Sequence, residues 1–248
     1  MKTYLPGLTF GLFFLLISTG LSAESYESSD KRVNLLELYT SEGCSSCPPA
    51  DRWLSRFKDD ERLWQELIPV AFHVDYWNYI GWPDRFSSDL FSQRQRHYAK
   101  AHQVSTVYTP GFLLNGKEWR SFFGLRKLAL ATVPGAGILK AEVNNGEISA
   151  LYNVMEGTND YMLNIALLGF NLKTEVMAGE NRGKILTHDF AVLGFDTVPM
   201  KRVDSGYFVN ASLPQPSNPA MQKAVALWVS RAHDQTPLQA TGGWLTLE

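Results

Sequence analysis

The sequence predicts an α/β layer domain followed by an all-β antiparallel sandwich, and three observations predict it. Buried-strand runs alternate with helical stripes up to about residue 135. Beyond that point strand-like segments follow one another without a long helical stripe. The change falls at Val133-Pro134-Gly135-Ala136-Gly137, a junction rich in turn residues. The expected division is a signal segment over 1–23, an α/β domain over 31–135 and a sandwich over 136–248.

In chain order, residues 24–31 are polar and read as a leader before the fold. Val-Asn-Leu-Leu-Glu-Leu-Tyr over 33–39 is an apolar run suited to a buried strand, ending at Thr40-Ser41-Glu42-Gly43. Pro48 and Pro49 then open a helix, where missing N–H groups cost little, and Ala50, Trp53, Leu54 and Phe57 form its apolar stripe. Leu63, Trp64 and Leu67 continue at helical spacing. A second buried strand spans 68–74 and runs into an aromatic loop, and a helix follows over 88–102. Val107-Tyr108-Thr109-Pro110 and Phe112-Leu113-Leu114 read as a strand interrupted by proline, and Asn115-Gly116 turns it into a hairpin returning through Lys117-Glu118-Trp119. A short helix near 124–131 closes this half. Strand segments are then expected at 138–143, 148–154, 161–168, 172–177, 185–195, 206–211, 224–230 and 240–245.

The first 23 residues carry one basic residue, Lys2, an apolar core over about 8–18, then Gly20-Leu21-Ser22-Ala23. An apolar core of roughly ten residues falls short of a bilayer span and reads as a cleavable export signal, with an uncleaved anchor as the alternative. The expected location is periplasmic or secreted, with no stable membrane insertion after cleavage. A formal net charge of −2 provides no broad field for nucleic acid or anionic lipid.

Cys44 and Cys47 are the only two cysteines. Their spacing closes too small a loop to staple a fold, so stability must come from packing. A CxxC has three readings: a redox dithiol, half of a zinc site, or chance. No second cysteine pair and no HxxxH spacing supplies the remaining zinc ligands. A cysteine at the start of a helix meets unpaired N–H groups that favour its thiolate, so context selects the redox dithiol. Cys44 is expected to be exposed and to attack, and Cys47, one turn further in, to resolve the mixed disulfide.

Strand, CxxC at a helix start and Thr109-Pro110 before a hairpin resemble the thioredoxin fold. The resemblance implies a cis Pro110 packed beside the disulfide, with the backbone next to Thr109 pairing with a substrate polypeptide; a trans proline at an edge bulge is the alternative. The segment 38–51, Leu-Tyr-Thr-Ser-Glu-Gly-Cys-Ser-Ser-Cys-Pro-Pro-Ala-Asp, with Phe72-His73-Val74-Asp75-Tyr76-Trp77, Gly81-Trp82, Gln93-Arg94-Gln95-Arg96 and Tyr108-Thr109-Pro110, resembles the DUF1223 family of exported thioredoxin-like proteins. The segment Gly179-Glu180-Asn181-Arg182-Gly183-Lys184 with His188 extends that resemblance into the second half. One departure is Gly111-Phe112, where a glutamine and an aliphatic residue are more usual.

By the same resemblance Glu37 is a candidate buried carboxylate beneath the disulfide, able to take the proton of the resolving thiol; the alternative is a strand glutamate in water. His73 and Asp75 share a strand face at the end where α/β sites gather, and they are candidates to line the cleft, although a histidine on an apolar strand is more often structural. Tyr76, Trp77, Tyr79, Trp82 and Phe86 read first as packing and second as a binding wall. His188 and His233 read as structural.

The expected function is therefore an exported thiol-disulfide oxidoreductase. It would exchange the Cys44–Cys47 disulfide with a protein or small-molecule thiol, assisted by a redox partner protein, with no cofactor and no metal. Two rivals remain at this point: a Cu(I)-handling protein using Cys44, Cys47 and His73 as soft ligands, and a non-enzymatic binding module. The second half is expected to contribute a surface and no chemistry.

Overall fold

The computed structural model describes residues 23–120, 128–154 and 160–246. The chain opens with β1 (Glu24–Glu27) and β2 (Asn34–Thr40), followed by α1 (Pro48–Ser55), β3 (Leu67–His73), α2 (Asp89–Lys100), β4 (Gly111–Leu114) and β5 (Lys117–Glu118). It continues through β6 (Ile138–Asn144), β7 (Glu147–Asn153), β8 (Tyr161–Phe170), β9 (Leu172–Glu175), β10 (Ile185–His188) and β11 (Ala191–Pro199). The last strands are β12 (Lys201–Val203), β13 (Gly206–Ser212), β14 (Gln222–Arg231) and β15 (Asp234–Leu245).

These strands overturn the expected fold class. Instead of an α/β thioredoxin-like domain and a separate sandwich, the chain is mostly β and carries only two α-helices among the described residues. Eight strands form one mixed sheet in the order β15-β14-β8-β11-β3-β2-β4-β5, so the strands of the second half extend the sheet of the first. The junction is a parallel contact of β11 on β3, where Ala71 N–H donates to the Phe190 carbonyl at 2.9 Å. A second, antiparallel sheet runs β1-β6-β7-β13-β12, and β9 and β10 form a two-stranded ribbon.

Side-chain alternation explains how one sheet serves both halves. On β8 and β14, Leu163, Ile165, Val225, Leu227 and Val229 face a core shared with Leu139, Ala141, Ile148 and Ala150 of the second sheet. The alternate positions Ala166, Leu168, Phe170, Ala224, Ala226 and Trp228 face a core shared with Leu35, Leu38, Leu54 and Phe72. A sandwich therefore exists, but one of its two layers is also the scaffold of the cysteine-bearing half.

Smaller corrections follow from the same packing. The polar segment after residue 23 is no leader: β1 pairs antiparallel with β6, and Tyr26 donates to the Trp244 carbonyl at 2.8 Å. The helical spacing at Leu63, Trp64 and Leu67 yields a turn into β3, with Trp64 at φ 67°. Of the helix expected near 124–131, residues 124–127 lie outside the described residues and the remainder is not helical. The segment 185–195 is two strands, broken at Phe190, whose φ is 59°. The strands at 34–40 and 67–73, the helix capped by Ser88 and the Asn115-Gly116 hairpin occur where the sequence places them.

Candidate functional site

The end of β2 delivers the chain into Ser41-Glu42-Gly43 and then to Cys44, which is joined to Cys47 by a disulfide with a Cα–Cα distance of 5.4 Å. Cys47 occupies the cap position of α1, with prolines at the next two positions. Gly43 is required by close approach, because a Cβ there would lie 3.0 Å from Trp77 Cβ. The expectation that Cys44 is exposed is corrected: Cys44 is 1% and Cys47 0% exposed, and the intervening Ser45 and Ser46 carry the exposure. Ser46 Oγ lies 3.3 Å from Cys44 Sγ, within hydrogen-bond reach for sulfur.

The Thr109–Pro110 peptide is cis and Pro110 is buried. Tyr39 pairs with Gly111, so the β2–β4 register continues to Thr40 opposite Pro110, at the strand end that leads into the cysteine turn. Trp77 spans the two segments, contacting the Gly43 position and donating from Nε1 to Thr109 Oγ1 at 2.7 Å. The departure at Gly111 has a local cause. A Cβ there would lie 2.9 Å from the Tyr108 carbonyl oxygen and 3.2 Å from Gln95 Nε2, which itself donates to that carbonyl at 2.7 Å.

Glu37 is buried, as one of its two readings had it, but its carboxylate is committed elsewhere. Arg94 Nε donates to Oε2 at 2.8 Å, Tyr98 to Oε1 at 2.7 Å and Tyr39 to Oε2 at 3.0 Å. Arg94 and Tyr98 belong to α2, so Glu37 ties β2 to that helix. The expected alternation of His73 with Asp75 also stops short, because β3 ends at His73. Asp75 accepts from Ser92 Oγ of α2, and its N–H donates back to that hydroxyl at 3.1 Å. His73 is fully buried.

What surrounds the cysteine turn is a buried cluster of five ionisable side chains, of which the sequence suggests only His73 as a site residue. His73 Nδ1 meets Asp84 Oδ2 at 2.7 Å, and His188 Nε2 meets Glu42 Oε1 at 3.1 Å. The two imidazoles stand edge to face with centroids 4.8 Å apart. Asp51, four residues past Cys47 on α1, places Oδ2 4.0 Å from His188 Nδ1. Burial alone would push His73 down, but the charge and hydrogen bond of Asp84, helped by Asp51 and Glu42, outweigh it and raise it to about 9. Burial raises the Asp51 carboxyl against the opposing pull of His188 and His73. Asp84 and Glu42 are held below the ordinary carboxylate range despite burial, Asp84 chiefly by His73 and Glu42 by its hydrogen bond to His188.

The second half closes this site, contrary to the expectation that it contributes only a surface. The loop between β9 and β10 carries Asn181, buried, whose Nδ2 donates to the Glu42 carbonyl at 2.8 Å and to the Cys44 carbonyl at 2.9 Å. Glu180 Oε2 accepts from Ser45 N–H at 3.0 Å. Lys184 Nζ donates to Asn181 Oδ1 at 2.9 Å. His188, read from sequence as structural, ends β10 inside the cluster. The only sequence signal for these contacts was the run 179–184 with His188, and nothing local placed it beside residues 135 or more positions earlier. Of the aromatic segment, Phe86 packs against His73 and His188, and Trp82 Nε1 donates to Glu42 Oε2 at 2.9 Å. Tyr79 is 82% exposed. Among the described residues no three His, Cys, Asp or Glu side chains are arranged to hold a metal ion.

Fold and site together define a mixed-sheet β protein bearing a CxxC disulfide at the start of a helix. The family model described as "Protein of unknown function (DUF1223)" matches residues 35–230, and the chain belongs to that family. No curated protein matches it. The crystal structure of protein AGR_C_4864 from Agrobacterium tumefaciens has a similar fold, with 23% identity, a TM-score of 0.58, and coverage of 89% of this chain and 98% of that one. HBP35 of Porphyromonas gingivalis is similar with 14% identity and a TM-score of 0.57, covering 88% of this chain and 76% of that one.

Proposed function

We propose that this chain is an exported thiol-disulfide oxidoreductase that exchanges the Cys44–Cys47 disulfide with thiols of proteins or small molecules. The observation that carries the reading is that the only two cysteines are joined across a three-residue separation at the cap of α1, a loop too small to add much stability. In the reducing direction the Cys44 thiolate attacks a substrate disulfide and expels one substrate thiolate, forming a mixed disulfide. The Cys47 thiol then gives up its proton and attacks Cys44 Sγ. This restores the Cys44–Cys47 bond and releases the second substrate thiolate, so two electrons pass to the substrate. A partner dithiol of the same chemical class returns the pair to the reduced state. The Ser46 hydroxyl beside the Cys44 sulfur supports negative charge there and favours Cys44 as the attacking thiol.

The test is covalent trapping. The Cys47→Ser variant should accumulate mixed disulfides through Cys44 with a disulfide-bearing polypeptide, and the wild type should reduce insulin with dithiothreitol as electron source. Trapping only by Cys44→Ser would reverse the two roles. A wild-type disulfide that exchanges with no thiol, together with single-cysteine variants that trap nothing, would defeat the reading.

A further inference from the structure

The loop at 179–184 is a strap from the second half laid across the cysteine turn, and its two contacts differ in kind. Asn181 is neutral and buried, and it holds the Glu42 and Cys44 carbonyls together. Glu180 is exposed and brings a carboxylate onto the N–H of Ser45, the amide directly bonded to the Cys44 carbonyl carbon. Hydrogen bonding from Ser45, by side chain and backbone, holds the Glu180 carboxyl below its ordinary range, so it is charged at neutral pH.

We propose, resting on the oxidoreductase reading above, that Glu180 is a positioning residue that sets the direction of exchange, biasing the Cys44–Cys47 pair toward its disulfide form and making the dithiol a reductant. Reduction breaks the Cys44–Cys47 bond and adds two electrons; Cys47 takes up a proton, and Cys44 becomes a thiol in equilibrium with its thiolate. The disulfide is neutral, so a nearby carboxylate leaves its energy almost unchanged. The thiolate is an anion and is repelled. Glu180 also occupies an N–H of the turn that would otherwise be free to support that charge. The reduced state therefore loses stability relative to the oxidised one, which lowers the reduction potential. The ionisable groups Glu42, Asp51, His73, Asp84 and His188 around the turn are buried and contact one another, and Lys184 on the strap is turned to Asn181, whereas Glu180 has no cationic partner among its hydrogen bonds. It is thus the charge whose removal changes the field at Cys44 with least disturbance to the core.

The experiment is an equilibrium titration of the full-length protein against dithiothreitol redox buffers, comparing wild type with Glu180→Gln, Glu180→Lys and Arg182→Ala. Glutamine keeps an acceptor for Ser45 N–H and removes only the charge. It should shift the equilibrium roughly three- to tenfold toward the dithiol, a rise of about 15–30 mV. Lysine should shift it further in the same direction, and both shifts should shrink in high salt because Glu180 is exposed. The cysteine thiolate, followed by its ultraviolet absorbance, should form at lower pH in Glu180→Gln. Arg182→Ala, on the same strap and exposed, should leave the potential unchanged. An unaltered potential in both Glu180 variants overturns the proposal while leaving the oxidoreductase reading intact, and so does an equal shift in Arg182→Ala, which would indicate general loosening of the strap. A wild-type disulfide that no thiol buffer reduces sinks the oxidoreductase reading itself.

Discussion

His73 shows how a single residue is made into a stability element by its surroundings. In water an imidazole has a pKa of 6.5, and burial would lower it. Here Asp84 at 2.7 Å, with the charges of Asp51 and Glu42, raises it to about 9. Because the folded value lies above the unfolded one, the pairing contributes its full stabilisation below pH 6.5 and loses it as pH rises through about 9. The contribution is on the order of a few kcal/mol. Urea unfolding of the oxidised protein should give a falling midpoint between about pH 6.5 and about pH 9. The His73→Gln variant should show a much flatter profile across that window. With one disulfide and no free thiol, disulfide shuffling does not confound the measurement. An undiminished slope in the variant would locate the pH dependence in another group.

At the scale of elements, Gln239 on β15 does work that no local pattern announces. Its Oε1 accepts from Val33 N–H at 2.9 Å and from Ala240 N–H at 3.0 Å. Its Nε2 donates to the carbonyls of Ser29, Lys31 and Gly137 at 3.0, 3.1 and 2.7 Å. It therefore satisfies the backbone of the connection between β1 and β2 and of the junction before β6 from a fully buried side chain. Gln239→Ala should lower unfolding free energy by about 2 kcal/mol or more, because the buried Val33 and Ala240 N–H groups lose this acceptor. The midpoint should fall without a change of denaturant slope, and a shift within error would show that water replaces the side chain. What was legible at this scale depended on local chemistry. Ser88 as a cap, Asn115-Gly116 as a turn and the run 34–40 as a strand buried on both faces are all written in adjacent residues. The polar strand β1 was not legible, because it pairs with a segment more than a hundred residues away. The site divides in the same way. The cysteine pair and Pro110 stand out in the sequence, whereas Asp51, Asp84, Glu42 and His188 become a cluster only after β3, α1 and β10 are brought together.

At the scale of the molecule, the error in fold class had a readable cause. A half-buried sandwich strand alternates apolar and polar residues, as β6 and β7 do. The segments 161–170 and 222–231 instead run almost continuously apolar, with Leu167-Leu168 and Ala224-Val225-Ala226-Leu227-Trp228 as examples. Such runs mark strands covered on both faces, and β8 and β14 are covered by two different cores. That arrangement makes the second half a structural necessity for the first. Ending the chain at residue 135 would remove β8, β11, β14 and β15 and bare the edge of β3 at Ala71. It would also uncover Phe72 and Leu38 from their shared core and delete Asn181, Glu180 and His188 from the cysteine turn. An unpaired, apolar edge of this kind favours aggregation over folding. Such a truncated protein is expected to show no cooperative transition in urea by circular dichroism. A version that did unfold cooperatively, with a disulfide as reactive as in the full chain, would mean that the sheet tolerates division at β3–β11 and that the strap is dispensable to the site it covers.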